Sequence, residues 1–525
     1  MVVQSNSILI LPEQGLFKEC CAVLREALLP SVSFMGAFSY ILQVVFKNDF
    51  LGLVPYFLLM ILAVCSFSFL RTNFFSSLNG VDVSLGLLSF AIAAHVIVGL
   101  IFRNYSLFDG RHALLYVGGL GIYLYISRIA RDSEIRASLW AIGLVAILIS
   151  THWIFEIYTQ KLFGKLSYYA GLKNEYLLMR ALKDGNNPAL YSLSSVFVDP
   201  LERANGLMSV YRQTAAVVAM GAFSVVALLY GVGARWSQIA LSVFLIVLTI
   251  GGSQMAFLSY VFLIPIIIYF LLKNNSPLKL FLKTAVLYSS PVIFLITVSF
   301  FSWGKPFVDV VVADKMGRLK NLAFITTAPS GTPQVDHTQL PKTPKIKEPV
   351  SKEPANNLVN QQLGINKQAG QKLAFRAEIP IYFHIYYGNL IGFLGYLEHS
   401  SVSAIFGEGP KSQVYHRGSD VGLFEFVATA GIPLATLFFV GCIFALFSAW
   451  KLLKRDELPQ IEKISLIFAI PAIIFSLTSL IHYDVLFRKE IYFFFCLALA
   501  LVRRVELRES GTCRVVNWEP LYHIL

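Results

Sequence analysis

Residues 237–272 form one apolar run of 36 positions with no charged side chain. As a single helix rising about 1.5 Å per residue, the run would be about 54 Å long, against a bilayer core of about 30 Å. It must therefore turn, and Gly251-Gly252-Ser253-Gln254 is the turn signal inside it. Two membrane-length segments placed back to back leave little choice of fold. In lipid every backbone N–H and C=O must be satisfied within the segment itself, which selects helices.

The rest of the chain obeys the same constraint. It is 56% hydrophobic and 14% charged, whereas a soluble domain has about a quarter of its residues charged. Twelve apolar stretches read as spans: 27–46, 50–70, 83–102, 113–127, 138–158, 207–231, 237–252, 255–272, 284–302, 421–447, 464–482 and 488–502. The predicted fold is an all-α polytopic membrane bundle of about twelve transmembrane helices. The last stretch is short, and Arg488 and Lys489 beside it would have to snorkel. Glu13, Lys18, Glu19, Arg25 and Glu26 precede the first stretch, which reads as an uncleaved span rather than a signal peptide. Cys20, Cys21, Cys65, Cys442, Cys496 and Cys513 form no C-x-x-C pair and read as small apolar fillers.

Basic residues gather in alternate short connections. One set is Arg71, then Arg128, Arg131 and Arg136, then Arg235, then Lys273, Lys279 and Lys283, then Lys451, Lys454, Arg455 and Lys463, with Arg503, Arg504, Arg508 and Arg514 in the tail. The opposite short connections hold Lys47, Arg103, Arg111, Arg488 and Lys489. Because short cytoplasmic loops carry the excess of Lys and Arg, both termini are expected in the cytoplasm. Two long connections, about 159–206 and 303–420, then lie outside it. This divides the chain into nine spans over 1–302, a large periplasmic loop over 303–420, and three spans with a cytoplasmic tail over 421–525.

Within the large loop, Val308, Val311, Val312, Met316, Leu319 and Leu322 recur at helical spacing and predict an amphipathic helix over 305–325. Residues 327–362 are rich in Pro, Lys, Asn and Gln and are expected to be disordered, and the aromatic-rich stretch 372–397 to be an interfacial helix. The net charge of +12 partly reflects the charge rule. No basic, aromatic-interleaved soluble domain accompanies it, so the expected partner is the membrane and not nucleic acid. No internal repeat is visible, which disfavours an inverted-repeat transporter.

Ionisable residues collect at the predicted outer ends of spans. Gly407-Glu408-Gly409-Pro410 makes a tight turn, His416, Arg417 and Asp420 follow, and an apolar span begins at Val421. Ionisable groups at that depth are usually functional or closely paired. His416 is a candidate general base, since an imidazole titrates near working pH; the alternative is a His that only caps the loop. Arg417 and Asp420 read either as part of a site or as interfacial anchors. Glu425, one turn further on, reads either as catalytic or as half of a structural salt bridge. A second cluster is Arg203-Ala204-Asn205-Gly206 with Tyr211-Arg212-Gln213. Arg212 needs an anionic partner, either Glu156 or Asp199 or the phosphates of a lipid-linked substrate, which a guanidinium fork suits. Arg376, beside Glu378, is a further candidate or a solvated surface charge.

In layout and in three motifs the chain resembles the O-antigen polymerase and O-antigen ligase superfamily of bacterial polysaccharide enzymes. That family has about a dozen spans and a large periplasmic loop between the ninth and tenth. Arg203–Arg212 is similar to its Arg-x-x-Gly segment entering a span. Thr249-Ile250-Gly251-Gly252-Ser253-Gln254 is similar to its Thr-x-Ser-Arg turn, with Gln254 where Arg is usual. Gly407–Pro410, His416 and Gly431-Ile432-Pro433 resemble its Gly-x-Gly, His, Gly-containing-span ending. The Arg that often precedes Gly-x-Gly has a counterpart only in Arg376, 31 residues before Gly407. Similarity covers about 200–445.

The resemblance implies a metal-independent glycosyltransferase of the bacterial inner membrane, without a cofactor, acting on undecaprenyl-diphosphate-linked oligosaccharide, with a chain-length regulator protein as an expected partner. His416 and Asp420 would be catalytic, and Arg203, Arg212, Arg376 and Arg417 would bind the diphosphate. The His-Arg-Gly-Ser-Asp ending departs from the His-Asn style of ligases and favours polymerase. Alternatives are a ligase, a lipid-linked-oligosaccharide flippase or transporter, and a membrane scaffold whose loop docks partners.

Overall fold

The computed structural model describes residues 12–69, 78–102, 110–163, 168–183, 206–208, 211–251, 254–272, 276–312, 390–395, 397–398, 401–409, 422–455, 457–480 and 489–510. Among these, 91% are helical and none lies in a strand. The helices are α1 (Pro12–Phe46), α2 (Val54–Phe69), α3 (Gly80–Phe102), α4 (Gly110–Arg128), α5 (Asp132–Phe163), α6 (Tyr168–Lys183), α7 (Tyr211–Tyr230), α8 (Ala234–Gly251), α9 (Gln254–Leu271), α10 (Pro277–Ser299), α11 (Ser401–Phe406), α12 (Gly422–Ala430), α13 (Ile432–Leu453), α14 (Gln460–Leu480) and α15 (Lys489–Glu509). Residues 305–312 are helical, at the start of the expected 305–325 helix. The stretch expected to be disordered, 327–362, lies outside the described residues, as does most of 372–397.

Where they are described, the twelve apolar stretches are mainly helical. Among the described residues seven helices are long and apolar enough to cross a membrane: α3, the Asp132–Thr159 part of α5, Gln213–Tyr230 of α7, α8, α10, α13 and α14. An eighth is added if the bent pair Ala27–Gly36 and Phe38–Phe46 of α1 is one span. Over the described residues the fold is all-helical, and its apolar helices make the chain a multi-pass membrane protein. The 237–272 run turns where its glycines stand, with α8 ending at Gly251 and α9 starting at Gln254.

The middle of the bundle is built from α7, α14 and α15. Ala215, Ala216, Ala219 and Ala222 of α7 are buried, and small residues let helix backbones approach closely where lipid supplies no hydrophobic drive. A β-carbon on Gly221 would lie 2.1 Å from Ala146 Cβ and 3.0 Å from Ile142 O, so α5 and α7 touch there. Across the same seam Ser224 Oγ donates to Leu139 O at 2.6 Å. Gly221→Val is therefore expected to destabilise the bundle by about 1–3 kcal/mol through overpacking. Gly86→Val, where a β-carbon meets nothing within 4 Å, should change the thermal midpoint in detergent little.

Two expectations are corrected. The stretch 421–447 is not one helix: Gly431, with φ +82°, divides α12 from α13. Pro433 in the first turn of α13 has no N–H to return to Thr429 O, so the ladder is interrupted at this point. And α15, which looked a marginal span followed by a basic tail, is buried without a break from Ile491 to Val505. It packs on α4, α14, α13 and α1. Arg503, Arg504 and Arg508 are part of this helix, not of a tail.

These arginines organise one end of the bundle. Asn79 caps α3, its Oδ1 accepting from the N–H groups of Val81 (3.0 Å) and Asp82 (2.9 Å), while the Asp82 carboxylate accepts from Asn79 N–H at 2.9 Å. This is a reciprocal N-terminal cap. Asp82 is 5% exposed. It is met by Arg503, through Nε and Nη2 at 3.1 Å, and by Arg128 Nη2 at 3.4 Å. Glu506 accepts from Arg503 Nη1 and Asn79 Nδ2, both at 3.0 Å. Asp132 joins Arg504 and Arg508 at 2.8 Å each, and Arg508 Nη1 reaches Glu462 at 3.3 Å. The ends of α3, α4, α5, α14 and α15 are thereby tied together.

Candidate functional site

The opposite end holds two fixed turns. The first follows α6. Tyr169, Lys173 and Tyr176 share one face of that helix, at i, i+4 and i+7, and all three are buried, Lys173 to 1% exposure. Lys173 Nζ donates to Gly206 O and Met208 O, both at 3.2 Å, and Tyr169 Oη donates to Leu207 O at 2.8 Å. Three successive carbonyls are thus held by side chains of one helix. Tyr176 Oη donates to Asp49 Oδ1 at 2.6 Å and Lys47 pairs with Glu175, which ties α6 to the α1–α2 connection.

From α5, His152 and Glu156 face the same turn, one helical turn apart. Glu156 is 4% exposed, accepts from the Gly206 backbone and acts on the Lys173 charge. The His152 ring meets the Tyr169 ring edge-on, with centroids 5.4 Å apart. Burial pushes the Lys173 ammonium down to about 8, with Glu156 opposing, and burial also raises the Tyr169 hydroxyl. Gly206 has φ +66°, and a β-carbon there would lie 2.7 Å from Thr214 Cγ2 and 3.2 Å from Trp153 Cδ1. Trp153, fully buried, also packs on Gly251, where a β-carbon would come within 2.1 Å of its ring. The Gly206 turn and the Gly251 turn, two of the three motif segments, therefore share one indole.

The second turn is Gly407–Gly409. Gly407 N–H donates to Ser403 O at 2.8 Å and closes α11, with φ +76°. The next two N–H groups donate to the carbonyls of α12 that the break at Gly431 leaves open: Glu408 to Ala428 O at 2.8 Å and Gly409 to Thr429 O at 3.1 Å. The Gly-x-Gly turn thus caps the C-terminal end of α12. A β-carbon on Gly407 would lie 2.3 Å from Thr429 O, and one on Gly431 2.2 Å from Ile405 O. His95 of α3 braces the turn, its Nδ1 at 2.8 Å from Ala91 O and its Nε2 at 3.2 Å from Gly407 O. Glu408 is 6% exposed.

Both turns lie away from the arginine-rich end, because α3 and α5 begin there with Asp82 and Asp132 and carry His95 and Glu156 in their second halves. Of the residues expected to do chemistry, Arg203, Arg376, His416, Arg417 and Asp420 lie outside the described residues. Arg212 stands in the first turn of α7 by its backbone. Glu425 stands in the first turn of α12, half-buried, and its charge acts on the Tyr116 hydroxyl of α4. Glu156, one of the partners considered for Arg212, is engaged by Lys173 and the Gly206 backbone. Sequence reasoning missed Lys173, His152, His95 and Glu408; the Tyr169-Lys173-Tyr176 spacing was a usable sign that this lysine shares a stripe with two tyrosines. Among the described residues no group of three His, Cys, Asp or Glu side chains is arranged to hold a metal ion. Comparison with models of known protein families, with curated proteins and with solved structures found no match to this chain.

Proposed function

We propose that this protein is a glycosyltransferase that polymerises undecaprenyl-diphosphate-linked oligosaccharide repeat units at the outer face of a bacterial inner membrane. In this reading the chain has about twelve spans, both termini are cytoplasmic, and residues 303–420 are periplasmic. The observation that carries the proposal is the pair of fixed turns at one end of the bundle. One lies between Arg203 and Arg212 in the chain, and the other directly precedes the segment with His416, Arg417 and Asp420. A transferase needs such rigidity, because groups that stabilise developing charge act best when held in place beforehand.

The proposed reaction is a direct displacement. A sugar hydroxyl oxygen bonds to the anomeric carbon of the donor, and the bond from that carbon to the phosphate oxygen breaks. The lipid diphosphate leaves with the electron pair. His416 takes the hydroxyl proton, with Asp420, four residues on in the chain, as its proposed catalytic partner. Arg203, Arg212, Arg376 and Arg417 supply donors to the diphosphate as its charge develops.

Deleting the gene in its host and separating the glycans on a gel tests the reading. Loss of a polymerase leaves single repeat units, and a plasmid copy carrying His416→Ala should fail to restore the ladder at normal protein abundance. Long chains stranded on the lipid carrier would instead identify a ligase, and unchanged polysaccharide would exclude both. A reporter fused near Pro344 should work only if it is of the periplasm-active kind; cytoplasmic-type activity there would overturn the orientation.

A further inference from the structure

We infer that His95 is a protonation latch: as the imidazolium it holds the Gly407–Gly409 turn against α3, and as the neutral ring it releases the turn. The latch is independent of the transferase reading and involves only α3, the turn and α12.

Both ring nitrogens of the half-buried His95 face backbone carbonyl oxygens. Nδ1 lies 2.8 Å from Ala91 O, one turn back in α3, and Nε2 lies 3.2 Å from Gly407 O. A carbonyl oxygen only accepts, so each contact needs an N–H on the ring. A neutral imidazole carries one N–H. Whichever nitrogen holds it, the other directs a lone pair at an oxygen, and only the doubly protonated ring satisfies both contacts. Turning the ring over would present C–H groups to the two oxygens and lose both bonds. Nor is there space between the ring and the turn. A β-carbon on Gly409, at φ +79°, would lie 2.9 Å from His95 Cβ and 3.3 Å from Cγ and Cδ2.

The contact reaches α12 through the turn. Glu408 N–H donates to Ala428 O at 2.8 Å and Gly409 N–H to Thr429 O at 3.1 Å, so a released turn uncovers both carbonyls. The docked turn holds one proton more than the released turn. Docking therefore strengthens as pH falls and weakens as pH rises. Imidazole is the side chain whose charge changes between about pH 5 and 8, so the latch works in the range that surroundings impose. The other ionisable groups on the elements packed against this half of α3 are Glu408 in the turn, Glu425 on α12, and Arg111, His112 and Tyr116 on α4. From α13 come Cys442 and, at its far end, Lys451. His112 is a second imidazole, which the test must separate from His95.

The test uses the full-length protein in nanodiscs, where both faces of the bilayer meet the same buffer, with two neutral variants, His95→Gln and His95→Asn. Amide exchange at 407–409 is measured between about pH 5.5 and 8.5, the range that brackets imidazole titration, and corrected for the intrinsic pH dependence of exchange. Protection in the wild type should fall at least about tenfold across this range, the size expected for loss of a hydrogen bond to a charged group. In both variants protection should be low and flat with pH. Nitrogen-15 spectra of histidine-labelled protein, with the His95 signals assigned by their loss in either variant, should show both ring nitrogens protonated at the acid end and one at the alkaline end. A wild-type protein without the step overturns the latch, and that result needs no variant to fold. A step that survives in the variants belongs to another group, His112 included, and also overturns it. So does a neutral His95 ring in a protein whose turn is fully protected.

Discussion

Gly407→Ala is expected to abolish the docking of the Gly-x-Gly turn and, with it, at least about tenfold of the proposed transfer activity, equivalent to about 1.4 kcal/mol. Two costs combine. An L-residue in the left-handed region costs roughly 1–2 kcal/mol. The added methyl would also lie 2.3 Å from Thr429 O, a backbone atom that cannot swing aside. Relief requires α11 to part from α12, which frees the carbonyls of Ala428 and Thr429 and removes the contact with His95 Nε2. Gly392→Ala is the control, since its β-carbon would meet nothing within 4 Å. Ladder length on a gel and transfer rate in vesicles read the outcome. Wild-type rates in Gly407→Ala would show that the turn is not part of the site.

Asp82→Ala should be the most destabilising single change at the arginine-rich end. It leaves Arg503 and Arg128, with side chains 10% and 12% exposed, without the carboxylate between them. Removing one member of a buried ion pair costs about 3–5 kcal/mol, mostly because the other charge stays behind. It also removes the acceptor for Asn79 N–H, so the start of α3 should fray. Arg455→Ala breaks an ion pair whose arginine is 51% exposed and should cost no more than about 1 kcal/mol. Thermal unfolding in detergent, monitored by fluorescence of the six Trp side chains, separates the two; equal shifts would mean that the network is solvated.

The sequence made the positions of the helices legible, because length and apolarity are local properties that the bilayer enforces. The turn at Gly251–Gln254 was legible for the same reason: no helix of that length fits. The break at Gly431 was not. A single glycine inside an apolar stretch is tolerated by most helices, and only the approach of Ile405 O and the missing N–H of Pro433 make this one a break. Burial of charge was also hidden. Arg128, Arg503 and Arg508 look like loop and tail cations until Asp82, Asp132 and Glu462 are brought to them by segments 46 to 421 residues away in the chain. Lys173 is the sharpest case, since a lysine on a connecting helix suggests solvent, and its partners are backbone carbonyls that no side-chain pattern announces. Cys442 and Cys496, expected as fillers, are free and buried.

The burial of α15 bears on how the molecule is made. The helices that surround it, α1, α4, α13 and α14, all precede it in the chain, so each leaves the ribosome and enters the bilayer before the piece that fills the gap between them exists. Until Ile491–Val505 arrives, the faces of α4 and α14 that it covers have only lipid or insertion machinery against them. Asp82 has Arg128 but not Arg503, and Asp132 and Glu462 wait without Arg504 and Arg508. Assembly is thus a closing event rather than a stepwise addition. A stop codon at position 488 would spare more than nine-tenths of the chain and still leave a bundle lacking its axis.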